Sequence, residues 1–281
     1  MSVQPTLTDT VTLVGVGALS AHPHDDAECA TTERVAVRIP RGGLAMVGTA
    51  VALLAAAVVG SAGAARSSPA TRSSVAPSQQ LVVMQATQVA HSGPSDKSGR
   101  VMLVPARRPI TGEQTVLPVI GHETGADGSR WLHVRLPGRP NGHTGWLEQR
   151  GTIASATGWH IVVHTSTFEV SAYDKGRLVQ SFPAIVGKPS TPTPHGQFFI
   201  EENIQLGPTG IGAPYALALS ARSAVFQEFD GGPGQIALHG LLNVGGTLGT
   251  AASHGCVRLG NTAISWLAAH TGPGVPVTVT N

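Results

Sequence analysis

A single thiol and two imidazoles lie close together near the end of the chain. Cys256 stands in the run TAASHGCVRLGN, residues 250–261; His254 lies two positions before it, and His239 ends the apolar run QIALH. A thiol attacks a carbonyl carbon only as the thiolate, so it needs a base or a cationic neighbour. That base must itself be held in place. The pattern predicts a cysteine nucleophile with a histidine as its base.

Gly255 lies where the chain must turn sharply. Without a side chain at this point, the N–H groups of His254, Gly255 and Cys256 could point at one oxygen and form an oxyanion hole. The glycine-rich stretch 241–252 is long enough to return the chain beside the strand that carries His239. Two alternatives stay open: Cys256 as a small buried hydrophobic residue, and His239 as a hydrogen-bonded core residue.

Three further histidines are weaker candidates. His160 and His164 lie in the run WHIVVH and could imitate a pair of metal ligands, but no third ligand follows at a suitable spacing. His195 is expected to be a surface residue. We therefore expect no metal, and no organic cofactor either, since thiol, imidazole and backbone donors suffice for acyl transfer.

Short apolar runs separated by Gly, Pro, Asn and Asp dominate the chain from about residue 81. Runs of this length predict strands, and one helix is predicted over 262–270 with Asn261 as its cap. The fold class is therefore mainly β: a small β-barrel over 81–152, then a β-rich domain with one or two short helices over 159–281. The predicted strands cover residues 81–87, 100–106, 115–121, 129–136, 143–149, 159–166, 168–174, 177–187, 196–202, 215–221, 223–229, 235–240 and 275–280.

Composition excludes several function classes. Hydrophobic residues make up 41% of the 281 positions, the formal net charge is +2, and no basic cluster stands out, so nucleic acid is not an expected partner. The glycines of GGPG and NVGGTLG lack the strand-to-helix context of phosphate-binding or dinucleotide-binding loops. We expect a monomer.

Residues 43–65 form an uncharged apolar run that is long enough to cross a bilayer. Arg34, Arg38 and Arg41 precede it, which predicts that the N-terminus stays inside. The run ends in small residues that suit a signal-peptide cleavage site. Transmembrane anchor and signal peptide both export residues 66–281; a buried core helix is the alternative.

The segments that flank this run are less defined. Residues 1–42 are either a cytoplasmic tail or an extension upstream of the true start of translation. Residues 66–80 form a Ser/Pro/Ala-rich linker. If the chain is exported, Cys29 is left behind or removed, and Cys256 has no partner for a disulfide within the chain. A lone exported cysteine indicates a reactive thiol or an intermolecular disulfide.

The stretch WLHVRLPGRPNGHTGWLEQRG, residues 131–151, holds two Trp-bearing strands around a turn. With the other strands of residues 81–152, it resembles the bacterial Src-homology-3-like modules found beside cell-wall enzymes. Such a module could position an enzyme against the wall or be a spacer without a ligand, because a fold alone does not specify a function.

The run IALHG followed by SHGCVRL resembles the catalytic motif of the L,D-transpeptidases, the YkuD-like cell-wall enzymes. GKPSTPTPHGQFFI, residues 187–200, is similar to the Thr-Pro-x-Gly-x-Phe segment of that domain, and APYALALSA follows in the expected order. The resemblance covers nearly all of residues 159–281 and implies that domain's β-rich fold.

The resemblance also implies roles at matching positions. Cys256 would be the nucleophile, His239 its base, and the carbonyl of Gly240 the group that orients the imidazole. The oxyanion hole would be the three N–H groups described above. Ser253 would support the loop, and Arg258 would brace the motif through an ion pair or meet a substrate carboxylate.

The implied reaction cross-links peptidoglycan. The thiolate attacks a stem tetrapeptide at the bond between its third residue and D-Ala, and the acyl-thioester passes to an amine of a neighbouring stem. The expected partners are stem peptides, and the membrane through residues 43–65 if these are uncleaved. The expected location is extracytoplasmic, membrane-anchored or secreted to the cell wall. An L,D-carboxypeptidase that uses water and a non-catalytic wall-binding protein are the alternatives.

Overall fold

The computed structural model describes residues 75–228 and 232–281, which contain sixteen strands and one helix. The predicted tail, the apolar run 43–65, Cys29 and most of the linker lie outside these residues. Within the described ranges, no helix is long and apolar enough to cross a bilayer. The predicted mainly β fold class is confirmed.

Seven strands form the first sheet, in the order β3-β2-β6-β5-β4-β1-β7, with every neighbouring pair antiparallel. Burial alternates along β6, where Gly145 and Leu147 are buried and Thr144, Trp146 and Glu148 are half-buried. Two of the strands, β2 and β7, were not predicted. The strands are β1 (Gln79–Met84), β2 (Gln88–His91), β3 (Arg100–Val104), β4 (Val116–Thr124), β5 (Arg130–Arg135), β6 (Thr144–Glu148) and β7 (Thr152–Thr157).

Nine strands form the second sheet, in the order β14-β10-β15-β13-β12-β11-β16-β8-β9. The long strand β10 also pairs with β9, so the order closes on itself. A cluster of fully buried aliphatic side chains fills the interior. The strands are β8 (Trp159–His164), β9 (Glu169–Asp174), β10 (Arg177–Gly187), β11 (Gly196–Gln205), β12 (Tyr215–Arg222), β13 (Gln235–His239), β14 (Thr250–Ser253), β15 (Val257–Leu259) and β16 (Pro276–Thr280).

Helix α1 (Asn261–His270) is the predicted helix, and Ile264 and Leu267 bury its inner side. The predicted cap is wrong. Gly260 occupies the N-cap position without a side-chain hydrogen bond. The Asn261 side chain instead accepts the N–H of Leu241 at 2.9 Å. Asn261 therefore ties the start of the helix to the segment that leaves β13.

The two sheets share buried groups. Phe199 of β11 is 1% exposed and belongs to the apolar cluster of the first sheet. Arg108, from the loop between β3 and β4, forms ion pairs with the buried carboxylates of Glu201 and Glu202. Arg222 of β12 donates to Glu201 at 2.9 Å. Residues 81–152 and 159–281 thus pack through both apolar and ionic contacts, and their division into separate domains stays a prediction.

Candidate active site

The thiol lies at the start of a central strand. Cys256 immediately precedes β15, which lies between β10 and β13 and runs parallel to β13. In this register Leu238 pairs with Val257, and both are buried. His239 pairs with Arg258, and both are partly exposed. Because side chains alternate along a strand and Cys256 lies two residues before Arg258, we expect the thiol on the face that carries Arg258 and His239.

The imidazole of His239 is held by its neighbour. Its Nδ1 donates to the carbonyl of Gly240 at 2.8 Å, which fixes the tautomer and leaves a lone pair on Nε2. Burial lowers the pKa of His239, opposed by the Gly240 hydrogen bond and aided by the positive charge of Arg258. The imidazole is therefore neutral at neutral pH and able to accept a proton.

The pKa of the Cys256 thiol is shifted in the opposite direction. Burial raises the pKa of Cys256, and this outweighs a hydrogen bond with the Ala237 backbone and the charge of Arg258, which both lower it. A raised thiol pKa and a lowered imidazole pKa both favour the neutral pair over a thiolate–imidazolium pair. The arrangement suits proton transfer to His239 during the attack on a carbonyl.

We expect alkylation of Cys256 to show this neutral resting state. The Cys29→Ala chain retains a single thiol. At pH 7, iodoacetamide should react with Cys256 in this chain more slowly than it reacts with a small exposed thiol. The rate should keep rising above the ordinary thiol pKa of about 8.5, because the thiolate fraction grows only there. Mass spectrometry over a pH series measures the rate. A plateau reached below about pH 7 would show a preformed thiolate instead.

Ser253 braces the nucleophile loop from inside. Its side chain is fully buried, and Oγ donates to the carbonyl of Cys256 at 2.5 Å. The same oxygen accepts the N–H of Gly255 at 3.1 Å. The expectation that three N–H groups point at one oxygen is therefore wrong for Gly255, whose N–H is used within the loop. The N–H groups of His254 and Cys256 stay the candidates for an oxyanion hole.

Gly255 is required by space as well as by backbone conformation. Its φ is +121°, and an added Cβ would lie 3.0 Å from Ile236 Cδ1. Its carbonyl accepts the hydroxyl of Thr193 at 2.8 Å. That hydroxyl also accepts the N–H of Gly187 at 2.9 Å. The loop is thus clamped against the segment after β10.

Thr191 completes this clamp. Its hydroxyl donates to the carbonyl of Ser253 at 3.2 Å, and the N–H of Lys188 donates to the same carbonyl at 2.9 Å. Sequence reasoning assigned no role to Thr191, Thr193 or Lys188. The signal that could have found them is the Thr-Pro-Thr-Pro run, residues 191–194, which contributed only to the family resemblance.

His254 and Arg258 lie on either side of the thiol in the sequence. His254 is exposed; its Nε2 accepts from Lys188 Nζ at 3.3 Å, and its ring contacts Phe226. Burial, followed by the charges of Lys188 and Arg258, lowers the pKa of His254. Arg258 donates weakly to the carbonyl of Gly245 at 3.4 Å, while its buried Nε has no hydrogen-bond partner among the described residues.

The expected ion pair of Arg258 is not found. Among residues 75–228 and 232–281, no carboxylate lies within ion-pair distance of this guanidinium. Its charge instead acts on the pKa values of Cys256, His239 and His254. Both roles expected for Arg258 stay predictions, and the contact that the structure gives it is the weak hydrogen bond to the carbonyl of Gly245.

The other histidines lie elsewhere. His160 Nε2 is 2.8 Å from the hydroxyl of Thr278, and His195 Nε2 is 2.8 Å from that of Thr165. His164 ends β8 on the same sheet. Among the residues the structure describes, no three side chains of metal-binding type are grouped to hold an ion.

Gly212 provides the surface on which the His239 ring rests. Its φ is +81°, and an added Cβ would lie 2.3 Å from His239 Nδ1. We expect Gly212→Ala to displace the imidazole and lower acylation of Cys256 by about 10²-fold, because small misplacements of catalytic groups cost this much. Gly128→Ala is the matched control: its φ is +83°, but its Cβ would meet no atom within 4 Å. Equal acylation rates in the two variants would contradict the prediction.

Comparison with known proteins finds similarity over the second half of the chain. The model of the YkuD L,D-transpeptidase catalytic domain matches residues 158–279. The protein "Putative L,D-transpeptidase YkuD" of Bacillus licheniformis is 32% identical over 122 residues, which are 43% of this chain and 66% of that protein. Its namesake in Bacillus subtilis is 31% identical over 121 residues, or 43% and 65% of the two chains. This chain thus spans slightly less than two thirds of the length of these relatives.

A solved structure, L,D-transpeptidase 3 from Mycobacterium tuberculosis in complex with a faropenem-derived adduct, aligns with 71% of this chain and 95% of its own. The identity is 15% and the TM-score 0.40, too low to support an argument about function. The matched range, residues 158–279, includes Cys256, His239 and Gly240, whose roles stay predictions. Residues 158–279 of this chain are thus similar to L,D-transpeptidase catalytic domains.

Proposed function

We propose that the chain is a peptidoglycan L,D-transpeptidase that uses Cys256 as its nucleophile. The observation that supports this proposal is the register of β13 and β15, which pairs His239, oriented by Gly240, with Arg258, two residues after the thiol. The substrate is a stem tetrapeptide that ends in D-Ala, and the acceptor is an amine of a neighbouring stem.

The reaction has two half-steps. His239 Nε2 takes the proton of Cys256 as the sulfur attacks the carbonyl carbon of the third stem residue. The C–N bond then breaks, the imidazolium returns its proton to the departing amine of D-Ala, and a thioester remains. The acceptor amine attacks the thioester and gives a proton to His239; the C–S bond then breaks, and the imidazolium returns the proton to the sulfur of Cys256, which restores the neutral pair. N–H donors of the nucleophile loop stabilise both oxyanions.

Several features support an extracytoplasmic location. The apolar run 43–65 with its preceding arginines suits export, and peptidoglycan lies outside the membrane. We also propose that residues 81–152 are a Src-homology-3-like module; their antiparallel strands and Trp-bearing pair β5 and β6 support this. Retention of the chain on insoluble peptidoglycan, compared with a chain substituted at exposed residues of this module, tests whether it binds the wall.

Intact-protein mass spectrometry tests the proposed activity. The full chain is incubated with a disaccharide-tetrapeptide, and the adduct is mapped to a peptide. A thioester on Cys256 that converts to cross-linked dimer is the expected result. The matched control is the disaccharide-tripeptide, which lacks the bond that must break and should give no adduct. If the products contain shortened monomer and no dimer, the chain is an L,D-carboxypeptidase. A folded chain that forms no adduct would favour a wall-binding protein.

A further inference from the structure

The turn between β5 and β6 of the first sheet reaches the segment between β12 and β13 of the second sheet. Arg139 lies in this turn, and its guanidinium donates to three backbone carbonyls of that segment. Nη2 donates to Ser223 at 2.9 Å and to Phe226 at 2.7 Å, and Nη1 donates to Pro233 at 2.8 Å. A single exposed side chain from the first sheet therefore binds three backbone carbonyls of the segment between β12 and β13.

Asn141, two residues further along the turn, makes a reciprocal pair. Its Nδ2 donates to the carbonyl of Arg222 at 2.8 Å, and its Oδ1 accepts the N–H of Arg222 at 2.8 Å. The N–H of Gly138 donates to the carbonyl of Ser220 at 3.1 Å. These contacts fix the end of β12, where the chain leaves the sheet.

Residues 223–226 form a turn instead of the predicted strand over 223–229. Ser223 is buried, its N–H donates to Gly234, and its hydroxyl accepts the N–H groups of Val225 and Phe226. The carbonyls of Ser223 and Phe226 are thus outside a ladder, and buried or half-buried carbonyls need a donor. Arg139 provides it.

This turn ends beside the candidate active site. The ring of Phe226 contacts that of His254 edge-on, with centroids 6.0 Å apart and planes at 60°. His254 lies two residues before the nucleophile, and its Nε2 also accepts a hydrogen bond from the Lys188 ammonium. The contacts form a continuous path from Arg139 through residues 223–226 to the nucleophile loop.

We infer that Arg139 and Asn141 are positioning residues of the active site, which hold residues 223–226 so that Phe226 forms a wall beside His254 for the stem peptide. The identity of the peptide rests on the proposed function, whereas the positioning does not. The first sheet then completes the substrate site in addition to any contact with the wall.

The imidazole resonance of His254 reports the position of Phe226 directly. In the full chain with labelled histidine, His254→Gln identifies the resonance, and Phe226→Ala gives its shift when the ring is absent. We expect Arg139→Ala to move the resonance in the same direction as Phe226→Ala. Arg150→Ala removes an exposed arginine from the turn after β6, whose side chain pairs with Glu148 alone among the described residues, so it should leave the resonance in place.

Kinetics give the second readout. Arg139→Ala should lower kcat/KM for the tetrapeptide by about tenfold, the value of one hydrogen bond to a charged group. Alkylation of Cys256 by iodoacetamide does not depend on the Phe226 ring. The alkylation rate in Arg139→Ala should therefore stay within about twofold of the rate in Arg150→Ala. Introducing Arg139→Ala into the Phe226→Ala chain should lower kcat/KM little further, since both changes remove the Phe226 ring from its position beside His254.

The outcomes separate the two proposals. A His254 resonance that moves in Phe226→Ala but not in Arg139→Ala overturns the positioning role, whatever the activity. A wild-type chain that forms no adduct overturns the proposed function, while the resonance still tests the positioning. If Arg139→Ala does not fold, Asn141→Ala replaces it, because this change removes only the pair with Arg222; an unmoved resonance there overturns the inference equally.

Discussion

Replacing Cys256 by alanine should eliminate the acyl-enzyme and lower turnover of the stem peptide by at least about 10⁴-fold, because loss of a nucleophile removes the covalent route entirely. The effect should be on kcat, since the nucleophile loop keeps its shape: Ser253 bonds to the Cys256 carbonyl and not to its side chain. Rates of dimer formation, followed by chromatography, give the measurement.

Cys29→Ala is the matched control for this change, because it removes the other cysteine of the chain. It should turn over the stem peptide at the wild-type rate. Residual turnover above about one per cent in Cys256→Ala would mean that another group carries the acyl chain, and it would contradict the assignment of Cys256.

Replacing Arg108 by methionine should lower the free energy of unfolding by about 3 kcal/mol, because removing one partner leaves a buried charge uncompensated. Glu201 is 1% exposed and pairs with Arg108 and Arg222, and Gln235 donates to it at 3.0 Å. Burial lowers the pKa of Arg222 to about 10. Since Arg222 still pairs with Glu201, we expect a loss of free energy of unfolding at the lower end of the range for broken buried ion pairs.

Urea unfolding of the full chain, followed by tryptophan fluorescence, measures this loss. Arg150→Met is the control, since Arg150 forms an exposed pair with Glu148 at 3.3 Å, and such pairs contribute at most about 1 kcal/mol. If Arg108→Met changes stability no more than Arg150→Met, the buried carboxylates are compensated by other groups, and the ionic contact between the two sheets is dispensable.

The sequence predicts Cys256 as a nucleophile from the histidines near it, whereas the orienting role of the Gly240 carbonyl follows only from the family resemblance; the hydrogen bond from His239 to that carbonyl is consistent with it. Long strands such as β10 and β11 were predicted because apolar runs dominate them. The short strands β14 and β15 escaped detection, since four and three residues are too few to show a period. Their pairing partners, β10 and β13, come from distant parts of the chain.

Other failures have a tertiary origin. Val225 and Phe226 suggested a strand, but their backbone is held by Arg139, more than eighty positions earlier. The Gly255 N–H was predicted to face a substrate, but the buried hydroxyl of Ser253 accepts it. Sequence patterns specify which residues prefer burial, whereas the partners of individual polar groups depend on contacts between distant segments.

The burial of Phe199 in the first sheet has a consequence for the order in which the molecule matures. The N-terminal strands, β1 to β7, emerge first during synthesis or passage across a membrane, but their apolar cluster is filled only when residue 199 arrives. Because a missing large side chain leaves a costly cavity, those strands cannot reach their final packing before β8, β9, β10 and the start of β11 have followed. The final packing of the first sheet therefore depends on a residue of the second sheet.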